Sequence, residues 1–376
     1  MNRPAFLTLT AGAGALSLGL IAAHLGPVAP RASAQADATR ADLLASPKVA
    51  DVVDAADAFL ATLSDSERAT AGIELKRQLA VRWTNFPGGS NVRNGVFFRD
   101  LKPEQVEAAL KVARVALGDE GFARYQEVRA ADDVFAKVAG GRGPGGPQGK
   151  QGGGGAAQKK GGGPGGGGNF GSANYMIAFL GKPSKTDPWI LQLGGHHLAI
   201  NIYYKGTAGA ATPYHVAAQP TVWKDDQGTT HDPLAPMRDS LHGLLISLTP
   251  EQSKQAKLEA RFYDVYVGPG KDGKFPARSE GVPVSELSDA SKAFLKRAIA
   301  AWTGDSPQGD EYRKLYEADL DKIKVAYSGT TAVGDRGDYV RIDGPRVWIE
   351  FATQGSDHYH TIWRDRLTDY GAEFSF

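Results

Sequence analysis

The chain of 376 residues contains no cysteine. Disulfide scaffolds, thiolate metal sites, cysteine-held iron–sulfur clusters and cysteine nucleophiles are thereby excluded. An excess of one charge is also lacking. The 43 basic and 42 acidic residues leave a formal charge of +1, which gives no footprint for nucleic acid or a cationic membrane binder. Beyond the N-terminus no apolar run is long enough to span a bilayer. Histidine is scarce at eight residues, so a tightly held metal has few nitrogens to choose from and must otherwise use carboxylates, backbone oxygens or water. Against these absences, 41% hydrophobic and 23% charged residues are enough for a globular core.

Residues 1–34 read as a secretory signal peptide. Arg3 supplies the positive start, Phe6 to Ala23 the apolar stretch, and Ala32-Ser33-Ala34 the small-x-small pattern cleaved after Ala34. An uncleaved anchor is the rival reading, which Pro27, Pro30 and the Ala-Ser-Ala site disfavour. The twin-Arg signal of folded export is missing. Losing Arg3 and Arg31 takes 43 basic residues to 41 against 42 acidic, a mature charge of −1. The expectation is export to periplasm or medium, with no membrane association after leader removal.

The mature chain, 35–376, reads as a single α+β domain, with N-terminal helices on a mostly antiparallel sheet. Ser64-Asp65-Ser66-Glu67 and Thr249-Pro250-Glu251-Gln252 have the form of capped helix starts, and Leu101-Lys102-Pro103 places proline where its missing N–H costs nothing. The helix after Leu101 is expected to end at Asp119-Glu120-Gly121. Further helices are expected over Ser288 to Trp302 and Asp310 to Ile323. Residues 140–168 hold 17 glycines and no acidic residue, which predicts a disordered insertion; two domains joined by this tract are the alternative. Strands are expected at Tyr175–Leu180, Trp189–Leu193, His197–Tyr204, Tyr339–Ile342, Arg346–Phe351 and His358–Arg364, with Asp343-Gly344 as a hairpin signal.

Chemistry concentrates in two of these strands. In Gly194-Gly195-His196-His197-Leu198-Ala199-Ile200-Asn201, the two-residue period sets His197, Ala199 and Asn201 on one face and His196, Leu198 and Ile200 on the other. A bulge at the glycine pair would exchange the two histidines. In His358-Tyr359-His360-Thr361-Ile362-Trp363-Arg364-Asp365, His358, His360 and Arg364 share a face. Two imidazoles at H-x-H spacing on a strand reach one metal ion. Each motif alone is weak, and a hydrogen-bonded structural histidine is the commoner case. Four of the seven histidines outside the leader nevertheless fall in these two segments. His215, His231 and His242 are dispersed and read as structural.

No G-x-S-x-G, S-x-x-K or H-E-x-x-H occurs, and no G-x-G-x-x-G follows a strand with an acidic residue at dinucleotide spacing. No nucleotide, flavin or iron–sulfur cluster is expected. The segments Gly194–Asn201, Thr212-Pro213, Tyr339–Glu350, His358–Asp365 and Asp369-Tyr370-Gly371, with Arg93-Asn94-Gly95, together resemble the domain of unknown function 3500 family. Its members are mostly secreted bacterial and fungal proteins without an assigned activity. The resemblance covers nearly the whole mature chain and departs chiefly in the Gly-rich expansion. It implies an intact domain with shared histidine segments, and no reaction.

Three functions follow as expectations. A metal-dependent hydrolase of a small anionic or polar substrate would use His197, His358 and His360 as ligands of a divalent metal, zinc or copper. Arg364 would line the rim and bind an anionic group or a developing oxyanion, while Asp365 or Glu350 would orient a histidine or act as base. A copper redox site and a metal-free protein that binds a small ligand are the alternatives. The partner is a small molecule rather than nucleic acid, and the sequence gives no oligomeric state. The geometric expectation is that His197 meets His358 and His360 with nitrogens roughly 3–4 Å apart, and that His196 faces the core or supports a ligand.

Overall fold

The computed structural model describes residues 43–46, 48–140 and 170–376. The expectations for residues 1–34 and for the Gly-rich tract lie outside the described residues. The architecture is α+β, as expected. Its centre is one large, mostly antiparallel sheet. Ten strands form its main path: β1 (Gly72–Ile73), β2 (Met176–Leu180), β3 (Trp189–Gly195), β4 (Leu198–Lys205), β5 (Tyr214–Ala218), β6 (Val282–Pro283), β7 (Lys324–Ser328), β8 (Tyr339–Asp343), β9 (Val347–Gly355) and β10 (His358–Asp365). Their order is β6-β7-β8-β9-β10-β5-β4-β3-β2-β1, and only the β1–β2 pair is parallel.

Eight helices accompany the sheet among the described residues: α1 (Val49–Ala61), α2 (Asp65–Ala71), α3 (Arg77–Ala80), α4 (Pro103–Gly140), α5 (Ala235–Ile246), α6 (Pro250–Ala256), α7 (Asp289–Thr303) and α8 (Gly309–Ala318). Their starts follow the sequence chemistry. Ser64 Oγ accepts from Glu67 N while Glu67 Oε2 accepts from Ser64 N, and Thr249 and Gln252 repeat the exchange. The helix starting at Pro103 does not end at Gly121. It kinks at Gly118, whose φ of 73° suits glycine, and runs on to Gly140. The continuation holds because Tyr125 and Val128 keep an apolar face buried beyond the kink. No helix among the described residues is long and apolar enough to cross a membrane.

The two faces of the sheet differ. One carries the large core, where Phe59 of α1, Val112 of α4, Leu244 of α5, Trp302 of α7 and Tyr316 of α8 join Phe179, Ile200 and Trp363. The other carries a smaller core of Trp83, Ala199, Ala352, Ile362, Tyr370 and Val265, roofed by loops rather than long helices. Alternation along β10 assigns its residues to these faces. Trp363 and Asp365 turn toward α8, while His360, Ile362 and Arg364 turn toward the loops. The loop-covered face can therefore hold polar groups that helix packing would exclude.

Candidate metal centre

His196 and His197 are not strand residues. Gly195 pairs with Leu198, so the two histidines are the turn of the β3–β4 hairpin, and His197 has φ 65°. This corrects the expected strand start at His197 and its assigned face. A turn residue obeys no two-residue alternation. A left-handed backbone at a residue other than glycine is strained, and such positions concentrate at functional sites. The neighbouring glycines are required by close approach. A Cβ on Gly195 would lie 2.6 Å from the Tyr175 ring.

The turn is pinned on several sides. Tyr175 Oη donates to His196 O at 2.7 Å, and Asn85 O accepts from His197 N at 2.9 Å. Ala217 N on β5 donates to His197 O at 2.8 Å. Arg93, only 3% exposed, donates to Gly195 O at 2.7 Å, to Gly88 O at 2.8 Å and Thr84 O at 3.0 Å, and also to Phe86 O. One guanidinium thus ties the 84–88 loop to the hairpin. Burial lowers the Arg93 pKa to about 10, leaving it charged at neutral pH.

Against this turn stands the start of β10. His197 Nε2 lies 3.0 Å from His358 Nε2, which lies 2.9 Å from His360 Nε2. One ligand atom from each of the three falls within 4.8 Å of the others. His197 and His360 are buried and His358 is half-buried, so the open side is at His358. On its far side His360 Nδ1 meets Asp264 Oδ1 at 2.8 Å, with Gln354 Nε2 at 3.0 Å and Asn85 Nδ2 at 3.2 Å. A carboxylate at Nδ1 holds the proton there and leaves the Nε2 lone pair facing the triad.

Hydrogen bonding alone does not satisfy this arrangement. A neutral imidazole nitrogen has either one proton or one lone pair. His358 Nε2 has two close imidazole neighbours and can bond properly with one. Protonation of His197 and His358 is disfavoured. Burial, followed by the neighbouring imidazoles, pulls His197 well below its ordinary pKa and His358 to about 3. Asp264 stays ionised: burial raises its pKa, but the His360 contact outweighs it and the net shift is downward. Convergent imidazole nitrogens beside a carboxylate are a donor set that a divalent cation takes.

The other expected site residues are elsewhere. Glu350 is buried and accepts from Tyr266 N, Val267 N, Tyr339 Oη and Trp348 Nε1. Arg364, expected at a rim, is fully buried. It donates to Val267 O and pairs with Asp272 and Asp369. Asp365 lies on the helix-covered face with Arg346 and Tyr316. Among the described residues none of the three contacts a triad nitrogen. Glu350 and Arg364 instead hold 266–268, the segment that follows Asp264.

Sequence reasoning missed Asp264, Asn85, Asp132 and His215. His196 Nδ1 lies 2.5 Å from Asp132 Oδ1 on α4, and its ring stacks on His197 at 3.6 Å. His215, read as structural, is fully buried 5.6 Å ring to ring from His360, with no hydrogen-bond partner for either nitrogen among the described residues. Burial lowers its pKa to about 3. Its only sequence signal was its place beside Thr212-Pro213, because the β5–β10 pairing that brings it near is not local.

Fold and site define an α+β protein with a three-histidine cluster, open at His358, on the loop-covered face of its sheet. The chain belongs to the family described as protein of unknown function (DUF3500), whose model matches residues 45–372. No curated protein and no solved structure matches it.

Proposed function

We propose that the chain is an exported, metal-dependent hydrolase of a small polar or anionic substrate, with His197, His358 and His360 as the ligands of a divalent ion. The observation that carries the metal reading is His358 Nε2, crowded by two imidazole nitrogens at 3.0 and 2.9 Å that one proton or lone pair cannot serve. Three histidines with an open position suit hydrolysis, because a bound divalent ion acidifies water and polarises carbonyl or phosphoryl oxygens. The chain's own residues supply the frame. Asp264 fixes the tautomer of His360, and Asn85 and Arg93 hold the His197 turn. Substrate reaches the centre past half-buried His358. Glu350 and Arg364 act as positioning residues through 266–268 rather than on substrate. Export rests on the leader pattern, and mature protein should begin at Gln35.

A copper redox centre is the second reading, and the nitrogen spacing favours it. With metal–nitrogen bonds of about 2.0–2.1 Å, nitrogens 2.9–3.0 Å apart subtend about 90°, whereas tetrahedral zinc needs about 3.3–3.4 Å. Metal analysis of natively purified protein, with a panel of p-nitrophenyl esters and phosphates assayed before and after chelation, tests the proposal. Stoichiometric zinc and chelator-sensitive hydrolysis lost in His360→Ala support it. Stoichiometric copper supports the redox reading, and a chain that takes up no metal leaves ligand binding.

A further inference from the structure

The three-histidine set does not exhaust the metal-binding groups of this region. Asp132, His196 and His197 form a second triplet with ligand atoms within 4.8 Å of one another, and all three are buried. Asp132 reaches in from α4, and its Oδ2 accepts from Gly171 N at 2.8 Å. Its Oδ1, at 2.5 Å, faces His196. The surroundings are apolar, with the Phe170 and Phe135 rings 4.8 and 5.8 Å from the His196 ring. A carboxylate buried in such a setting requires positive charge close by. Arg93 is near enough to feel Asp132, but its hydrogen bonds all go to backbone carbonyls. Among the described residues the one cationic partner within ion-pair distance of Asp132 is His196, which is charged only when protonated; a bound cation would supply the charge otherwise.

The two triplets adjoin through the His196–His197 turn. The imidazoles stack at 3.6 Å with a 30° interplanar angle, so adjacent residues present their ring edges side by side. Two-metal sites hold their ions about 3.5–4 Å apart when oxygens bridge them, and further apart when an imidazole does. The two rings meet at the turn where His197 has a φ of 65°.

We propose that Asp132, His196 and His197 form a second cation position, so that the centre is dinuclear. This rests on the reading of His197, His358 and His360 as metal ligands. His197 belongs to both sets, and holding an ion on each of its ring nitrogens would require the proton of the second nitrogen to pass to solvent. Two divalent ions in one centre suit an anionic substrate, such as a phosphate ester or a carboxylate.

The test is metal stoichiometry with zinc as the probe. The full chain is equilibrated with excess zinc, freed of unbound ion and assayed by plasma mass spectrometry. Asp132→Asn, His196→Phe and His358→Ala/His360→Ala are treated alongside, with circular dichroism to show that each is folded. Because His231 lies between Glu127 and Asp225 at 3.3 Å, His231→Asn is included to identify zinc held there. Two ions per chain, falling to one in Asp132→Asn and in His196→Phe, support the second position. The two variants act independently, so a folding defect in one leaves the other to decide. One ion per chain, unchanged in both, overturns the second position and leaves the three-histidine reading intact. So does a second ion lost only in His231→Asn. No ion in the unmodified chain refutes the three-histidine reading itself.

Discussion

Replacing Asp264 by Asn tests whether the triad is tuned for a cation. The substitution keeps the shape and removes the charge facing His360 Nδ1 at 2.8 Å. An ion on His360 Nε2 would lie one imidazole beyond that contact, about 6–7 Å from the carboxylate. In a water-like dielectric this amounts to roughly 0.6 kcal/mol per unit of positive charge, or about 1.2 kcal/mol for a divalent ion. The Asp264 side chain is 40% exposed, so the water-like value is the appropriate one. Loss of the tautomer lock adds to it, and together they weaken metal affinity by roughly ten- to thirtyfold, within the range for residues that support ligands. Competition with a chromophoric chelator measures the change in Kd. An unchanged Kd in a folded Asp264→Asn chain would refute the assignment of Asp264 as the carboxylate that orients a metal ligand.

Other residues give equally direct outcomes. Arg93→Ala should weaken zinc binding by roughly tenfold or more while the helical circular-dichroism signal persists, and millimolar guanidinium should restore part of it; a loss that guanidinium does not relieve counts against the clamp. Gly195→Ala should destabilise the fold by about 1–3 kcal/mol in urea unfolding, since its Cβ meets the Tyr175 ring at 2.6 Å. Glu67 has its pKa lowered by the backbone N–H and then the hydroxyl of Ser64. The folded form thus holds the proton less tightly than the unfolded one, and the capping contribution is present above the ordinary glutamate pKa and lost as pH falls through the folded value. Urea midpoints from pH 6 to pH 3 should fall less steeply in Glu67→Gln than in the unmodified chain.

What was legible in the sequence was local. The Ser64 and Thr249 caps, the Asp343-Gly344 turn and the β10 alternation depend on neighbours a few residues apart, and each appears where its chemistry put it. The same locality explains the misreadings. Clean alternation over Leu198–Tyr203 extends a strand face to His197, but the hairpin closes on His196 and His197 themselves. Acidic residues and a glycine after Leu117 looked like a helix end, yet Gly121 is there because a Cβ would strike the Asp305 backbone at 2.3 Å. The carboxylates at the centre come from Asp132 and Asp264, separated from their histidines by 64 and 96 positions. Such pairings are products of sheet order and loop closure, for which no periodicity exists to be read.

The most direct test of the central claim is the metal content of the natively purified chain beside His358→Ala/His360→Ala. The unmodified chain should hold at least one divalent ion tightly, the double variant should lose it, and both should share one helical circular-dichroism spectrum. An unmodified chain that neither carries nor takes up metal, together with a double variant that unfolds, would rule out the metal centre and leave the three histidines as structural residues.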